Sequence, residues 1–417
     1  MRKAEWSVLV LAVVLLGGVW LRVVNPTAPT RSPDENYYMF YAEKVAAAPL
    51  STPRELVAVY NKTPATWTYP IPLRIGYYYS ISAIMKVFGV GPEKAGLGLS
   101  TGCSIVQLLL VAIVGVRFLN KWAAVIAVAL LSVSPMDLEL ARRVWGDGVS
   151  GCVAMMLVWI CAEICTRPRA RLWYAGLWIC SAYFLLVKET GGVFFGLCVV
   201  GLAVASWRRS GSWREVGWIG LGAVGTAVCS FTIMAVMCGG VSAALETVRH
   251  SAQAAPLNQY GKTFQTGPWY SLPLGMWMLS PLAGCGCAVG VAAIAVARES
   301  VRETLGMGRR PMEVLVGMAA VMVLVIAVSS VPPALMNLRY VSFVYGMWYL
   351  MAGVGVSFLG RKIEGRLRGW AVGAVMVLVM GYSCWGDYSR FREMFLQGGV
   401  RDLDIRQVVG FPFGERT

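Results

Sequence analysis

Charged side chains are scarce in this chain of 417 residues: Asp, Glu, Lys and Arg make up 14%, and hydrophobic residues 57%. A soluble globular domain carries roughly 25% charged residues, so the composition excludes an ordinary soluble protein. Several apolar runs reach the ~20 residues that cross a bilayer as a helix. The sequence therefore predicts an all-α, polytopic integral membrane protein surrounded by membrane lipids.

Histidine is almost absent, with His250 alone, and most of the 11 cysteines lie inside apolar runs, where they act as small hydrophobic side chains. No Cys-x-x-Cys pair occurs, which argues against a zinc site or a disulfide framework. Acids are also few, with 22 Asp and Glu against 37 Lys and Arg. Many of the bases lie in short loops between apolar runs, where they orient the spans, so we expect no nucleic-acid partner.

The apolar runs predict eleven transmembrane helices. The first follows Met1-Arg2-Lys3 and has no clear cleavage site, as expected of an uncleaved first span. The predicted spans lie near residues 7–24, 95–116, 122–136, 148–165, 172–187, 190–207, 216–238, 271–297, 312–331, 340–360 and 369–386.

The segment 75–91 decides the topology, because every later loop changes sides if this segment crosses the membrane. Its apolar residues recur at the spacing of one helix face, which is typical of an interfacial helix, and the tyrosines at 77–79 suit the headgroup zone. With this segment outside the bilayer core, every cytoplasmic loop carries at least two bases. The stripe consists of Ile81, Ile84, Met85 and Phe88.

This topology places the N-terminus in the cytoplasm and gathers the longer loops on the extracytoplasmic face. Residues 1–386 then form one transmembrane domain, with interfacial helices in its first outer loop, followed by a short extracytoplasmic tail. The outer segments are 25–94, 137–147, 239–270, 332–339 and the tail 387–417.

Adjacent acids, Asp34 and Glu35, precede a helix predicted over 36–48 in the first outer loop. A carboxylate at the lipid–water boundary suits an enzyme that deprotonates a hydroxyl acceptor while its donor stays in lipid. The simpler interpretation is a helix N-terminus, where the helix dipole favours acids. The acid pair alone does not decide between the two.

Further charged groups lie on the same predicted face. Arg142 and Asp147 flank the start of the fourth span, Lys188-Glu189 separates two apolar runs, and Arg339 closes a late loop. Arginine binds phosphate oxygens bidentately, although snorkelling arginines with a capping aspartate are the commoner explanation for residues such as Arg142 and Asp147. Charges this close to a bilayer are costly and often functional, and their convergence on one face indicates a site.

The order and spacing of these clusters resemble the GT-C membrane glycosyltransferases, in the branch of the protein O-mannosyltransferases and lipid A aminoarabinose transferases. The resemblance covers roughly residues 7–207 and weakens after them. Only the tail 387–417 follows the last predicted span, so the acceptor is not indicated. The matching residues are Asp34-Glu35, the stretch Tyr69 to Arg74, Arg142 with Asp147, Lys188-Glu189, and Asn337 to Tyr340.

The resemblance implies a hexosyl- or pentosyltransferase of the cell envelope, in the plasma or inner membrane. Such an enzyme moves a sugar from a polyprenyl-phosphate-linked donor to a lipid, glycan or protein acceptor at the extracytoplasmic face. The implied general base is Asp34, supported by Glu35, with inversion at the anomeric carbon, and Asp147 would orient the acceptor or the base.

The resemblance also implies a set of binding residues. Arg142, Lys188 and Arg339 would bind the phosphate leaving group and offset its developing charge. The outer loop 239–270 would close over the carrier as a lid. The substrate contacts implied in the loops are Arg74, Arg249, Tyr260 and Lys262.

We expect no cofactor, because with one histidine a divalent metal would need Asp or Glu ligands. The main alternative is a lipid or sugar transporter or flippase, which would place ionisable residues near the bilayer midplane on broken helices. Glu163 is the one ionisable residue well inside a predicted span, and we see no internal repeat. An O-antigen ligase or polymerase would use outer-loop arginines without the early acid pair.

Overall fold

The computed structural model describes residues 2–24, 31–167, 171–254, 267–331, 337–365 and 369–409, and helices dominate them, as predicted. The α-helices in chain order are α1 (Arg2–Val24), α2 (Pro33–Ala47), α3 (Thr52–Lys62), α4 (Ile75–Phe88), α5 (Pro92–Phe118), α6 (Lys121–Ser132), α7 (Pro135–Leu140), α8 (Gly146–Thr166), α9 (Arg171–Val187), α10 (Gly191–Ser210), α11 (Trp213–Met237), α12 (Val241–Ala254), α13 (Ser271–Leu279), α14 (Pro281–Val296), α15 (Arg298–Leu305), α16 (Arg309–Ser329), α17 (Tyr345–Glu364), α18 (Gly369–Phe391) and α19 (Ile405–Val409). Short 3-10 turns cover Pro64–Thr66 and Leu338–Val344.

Eight helical segments among the described residues are long and apolar enough to cross a membrane, and each coincides with a predicted span. The other three predicted spans fall on the shorter helices α6 and α9 and on the pair α13 and α14, of which α14 bends by 114° into α15. The prediction of eleven crossings is therefore supported for eight and stays a prediction for the rest. The eight segments are Trp6–Val24, Pro92–Phe118, Gly146–Thr166, Gly191–Ser210, Trp213–Met237, Arg309–Ser329, Leu338–Glu364 and Gly369–Gln397.

The segment that decides the topology forms α4, which is not among the helices suited to crossing a membrane. It packs on α2 through edge-on aromatic contacts, with ring centroids 4.8 Å apart for Tyr38 and Tyr77 and 5.8 Å apart for Tyr41 and Tyr78. That the tyrosines lie at the depth of the headgroup zone stays a prediction; Tyr77 and Tyr78 are fully buried inside the protein. Packing against the rings of α2 removes their apolar surface from solvent more completely than a lipid surface would.

The middle of the bundle is α17, which is buried along most of its length and packs closely against α14. The two backbones approach at glycines: a Cβ atom added to Gly355 would lie 2.0 Å from the carbonyl oxygen of Gly286. A Cβ atom added to Gly290 would lie 2.4 Å from the carbonyl oxygen of Met351. Small residues let membrane helices approach in this way.

The predicted outer segment 239–270 contains a helix that the sequence did not indicate, because Val241–Ala254 forms α12. This helix packs on α3: Asn61 Nδ2 donates to the carbonyl of Ala243 at 3.1 Å, and Thr247 Oγ1 donates to Asn61 Oδ1 at 2.8 Å. Ala244 and Thr247, three residues apart, are buried, which gives the segment a packed face that favours helix over loop. Together, α3 and α12 cover one end of the bundle.

Candidate active site

A cavity of about 340 Å³ lies where α2, the stretch before α4, the start of α8, α12 and the turn before α17 meet. Asp34 and Asp147 both line this cavity, as the predicted topology requires. Arg74 and Arg339 line it as well. The lining residues are Ser32, Pro33, Asp34, Tyr38, Thr68, Tyr69, Pro70, Ile71, Arg74, Asp147, Ser251, Arg339, Tyr340 and Asp402.

Asp34 meets Arg339 across the cavity. Asp34 lies in the first turn of α2, with 29% of its side chain exposed, and its Oδ2 accepts a hydrogen bond from Arg339 Nη2 at 2.8 Å. The guanidinium of Arg339 lies 5.0 Å from the ring of Trp145 and 5.2 Å from that of Tyr340. Its Nε–H is buried and finds no hydrogen-bond acceptor among the described residues. A buried donor of this kind is suited to an anionic ligand.

Asp147 is held by Lys188, and the two side chains form a buried ion pair. Asp147 lies in the first turn of α8, and Lys188 directly follows α9. Burial lowers the pKa of Lys188, and the charge of Asp147 opposes that shift. The Nζ atom of Lys188 also lies 5.0 Å from the ring centroid of Tyr340. Lys188 therefore sits behind Asp147, close to the cavity, although it is not among the lining residues.

Arg74 forms the opposite wall, where its Nε donates to Glu189 Oε2 at 2.9 Å and its Nη1 donates to the hydroxyl of Tyr38. Burial alone would lower the pKa of Arg74, but the charge of Glu189 and the hydrogen bonds raise it well above its usual value. The neighbours Lys188 and Glu189 thus serve different partners. Both pairs lie beside the same cavity.

Glu35 does not line the cavity. Its carboxylate accepts hydrogen bonds from the backbone of Ser32 at 2.7 Å and of Val144 at 2.9 Å, and pairs with Arg143 Nη1 at 3.2 Å. The helix N-terminus interpretation therefore describes Glu35, which completes a capping box with Ser32, while Asp34 faces the cavity. These contacts of Glu35 tie the start of α2 to the residues before α8.

Arg142 is buried and does not line the cavity either. Its Nη1 lies 3.6 Å from Glu139 Oε2, and its guanidinium lies 5.3 Å from the ring of Phe391. Burial lowers the pKa of Arg142, while the charge of Glu139 raises it. Glu139, three residues earlier, pairs with Arg142 inside the protein, so Arg142 lies behind the wall of the cavity.

The predicted substrate contacts of the outer loop are only partly described. Arg249 is exposed on α12 and is not a lining residue, whereas Ser251, two residues later, is. Tyr260 and Lys262 lie outside the described residues. His250 stacks on Trp67 with ring centroids 4.0 Å apart, which fastens α12 to the first outer loop.

Several lining residues were not predicted as site residues, among them Tyr38, Ser251 and Asp402. Tyr38 lies four residues after Asp34, one helical turn further on, and this spacing offered a usable signal. Asp402 comes from the tail, which no sequence pattern connects to the cavity. Among the described residues, no group of three or more His, Cys, Asp or Glu side chains is arranged to hold a metal ion.

The profile of one known family matches the chain. It is the dolichyl-phosphate-mannose-protein mannosyltransferase family, and the match covers residues 72–234. This region includes Asp147 and Lys188 but neither Asp34 nor Arg339. No curated protein sequence matches the chain significantly.

Solved structures match nearly the whole chain. Archaeal oligosaccharyltransferase AglB from Archaeoglobus fulgidus, in complex with an inhibitory peptide and a dolichol-phosphate, has a TM-score of 0.59 at 12% identity, covering 96% of this chain and 56% of AglB. ArnT from Cupriavidus metallidurans in the apo state has a TM-score of 0.52 at 16% identity, covering 98% and 78%. ArnT bound to undecaprenyl phosphate has a TM-score of 0.52 at 17% identity, covering 94% and 71%.

These matches establish the fold. The predicted likeness to the GT-C proteins is confirmed at the level of the fold, and the chain is a multi-pass membrane protein. The chain spans only 56% of the length of AglB.

Proposed function

We propose that this chain, whose fold is that of the GT-C glycosyltransferases, transfers a sugar from a polyprenyl-phosphate carrier to an acceptor hydroxyl with inversion at the anomeric carbon. The observation that carries the proposal is the 2.8 Å contact between Asp34 and Arg339 in a cavity that Asp147 shares. A carboxylate able to take a proton thus lies beside a cation able to bind phosphate. An inverting displacement needs a base that acts on the acceptor hydroxyl and a cation that acts on the leaving phosphate.

In the proposed step, Asp34 accepts the proton of the acceptor hydroxyl while that oxygen attacks the anomeric carbon. The bond from this carbon to the phosphate oxygen breaks, and its electron pair leaves with the phosphate. Arg339 and Lys188 offset the charge that develops there, as preorganised cations do in a site shielded from water. These cations supply the positive charge, so the proposal needs no metal ion. Asp147, held by Lys188, orients the acceptor.

The donor class is supported by the ligands bound in the structural neighbours. AglB was solved with a dolichol-phosphate and ArnT with undecaprenyl phosphate, and both molecules are polyprenyl phosphates. For this chain we propose a donor of the same class and a lipid, glycan or protein acceptor. The sugar is a hexose or a pentose.

The proposed location is the extracytoplasmic face of the plasma or inner membrane, with the N-terminus in the cytoplasm. This orientation keeps the base-rich loops in the cytoplasm. It also places the cavity, bounded by α2 and α12, where a membrane-bound carrier and an external acceptor meet.

Asp34→Asn tests the proposal directly in purified protein reconstituted in nanodiscs. A panel of radiolabelled polyprenyl-phosphate sugars is supplied, and release of labelled sugar from the carrier, with water as the acceptor hydroxyl, is measured for both proteins. We expect the wild type to release sugar and Asp34→Asn to lose at least about a hundredfold in rate, the usual contribution of a general base. Glu43→Gln is the matched control, because Glu43 is an exposed acid on the same helix. Full turnover by Asp34→Asn would remove Asp34 from this role.

A further inference from the structure

The segment 398–409 returns to the bundle and forms part of the cavity wall. Leu338 N donates to the carbonyl of Leu403 at 2.9 Å, directly beside Arg339. Leu403 and Ile405 are fully buried, and Arg143 Nη2 donates to the carbonyl of Val400 at 3.3 Å. Backbone pairing and apolar burial therefore fix this segment against the turn that carries Arg339.

This docked segment brings Asp402 into the cavity. Asp402 is 8% exposed, and its Oδ1 lies 3.8 Å from Arg339 Nε. The same Oδ1 accepts a hydrogen bond from Leu403 N at 2.8 Å, which fixes the carboxylate. Arg339 thus lies between two carboxylates, with Asp34 on Nη2 and Asp402 facing Nε. At 3.8 Å, Asp402 acts on Arg339 through its charge and makes no direct hydrogen bond with the Nε–H.

A second carboxylate beside Arg339 affects the donor and the released carrier differently. The phosphodiester of a sugar donor carries one negative charge, whereas the monoester left after transfer carries about −1.5 to −2 at pH 7. Coulomb repulsion grows in proportion to charge. Asp402 therefore repels the released phosphate more strongly than it repels the donor.

We propose that Asp402 is a positioning residue that holds the Nε side of Arg339 and weakens the binding of the released polyprenyl phosphate, so that the product leaves the cavity. This inference rests on the proposed function. The segment 398–409 would then take part in product release through Asp402.

Binding of farnesyl phosphate, a short polyprenyl phosphate, to the full-length protein in nanodiscs tests the proposal. We expect Asp402→Asn to bind it at least about tenfold more tightly than the wild type, because the substitution removes one negative charge near Arg339 and keeps the oxygen that accepts from Leu403 N. Asp402→Glu restores the charge and should bind as the wild type does. Glu393→Gln is the matched control, an exposed acid shortly before the same segment. Farnesol, which lacks the phosphate, should bind equally to all four proteins.

The kinetic consequence separates positioning from a merely structural role. Asp402→Asn should lower kcat for sugar transfer. It should lower KM for the donor by a smaller factor than it lowers kcat. Added farnesyl phosphate should inhibit the variant more strongly than the wild type. Unchanged or weaker farnesyl phosphate binding by a folded Asp402→Asn overturns the inference alone. If that variant does not fold, Asp402→Ser takes the same test. Failure of the wild type to bind farnesyl phosphate would instead overturn the proposed donor site.

Discussion

Single residues in this site are defined by their partners more than by their neighbours in sequence. Lys188 and Glu189 are adjacent, yet Lys188 pairs with Asp147 and Glu189 with Arg74. Their presence between two apolar runs predicted a functional position. Their partners could not be predicted, because each pair joins segments that are distant in the chain. Buried charges are tolerated only when paired, so Asp147 and Lys188, which are both buried, depend on each other.

The pair of Lys188 and Asp147 should show this dependence in a double-mutant cycle. Lys188→Met leaves the buried carboxylate of Asp147 without its cation, and breaking such a pair destabilises a protein by roughly 3–5 kcal/mol. Adding Asp147→Asn removes the stranded charge, so we expect the double variant to melt at a higher temperature than Lys188→Met alone. Tryptophan fluorescence on heating measures both, with the exposed Lys86→Met as control. Strictly additive losses would contradict the coupling.

Helix boundaries could be predicted where the residues that set them are close together in the sequence. The acids after Ser32 indicated the start of α2, and Glu35 does complete the cap there. Two features with weaker local signals were missed. The predicted span 271–297 is divided into α13 and α14 at Ser280-Pro281, and α12 occupies a region predicted as loop. Proline at the start of α14 suits a helix N-terminus, but within a continuous apolar run it was not recognised as a boundary.

The contact between α14 and α17 predicts a sharp steric limit. Gly355→Ala places a Cβ atom 2.0 Å from the carbonyl oxygen of Gly286, which is backbone and cannot rotate away. Overpacking of a tight interior usually costs about 1–3 kcal/mol, so we expect a clear fall in melting temperature in detergent. Gly373→Ala is the control, because nothing lies within 4 Å of the Cβ position at Gly373 on α18. Equal melting temperatures for the two variants would contradict the close helix approach.

At the scale of the whole molecule, composition and apolar runs were enough to predict the fold class. The likeness of the charged clusters to GT-C enzymes correctly predicted that Asp34 and Asp147 share a cavity. The sequence could not separate residues that face the cavity from those behind it: Arg142 and Arg339 look alike as loop arginines, and only packing buries one against Glu139. Nor could it place Asp402, whose approach depends on how the tail folds back.

The proposed orientation predicts which surfaces are accessible from outside the cell. Arg392 directly follows α18 and precedes the segment that reaches the cavity wall. Lys362 lies in the last turn of α17, at the end of the helix away from Arg339. Both side chains are exposed. With the exposed Cys229 and Cys285 replaced by serine, we expect Arg392→Cys to react with a membrane-impermeant maleimide on intact bacterial cells. Lys362→Cys should react only after permeabilisation. The reverse pattern would place the cavity in the cytoplasm.

The configuration of the product tests the single-displacement chemistry of the cavity most directly. A donor of known anomeric configuration is turned over in nanodiscs, and the anomeric proton coupling of the new glycosidic bond is read by NMR. A single attack by the hydroxyl that Asp34 deprotonates predicts that the configuration inverts. Retained configuration would require a covalent or double-displacement route and would contradict Asp34 acting as the general base beside Arg339.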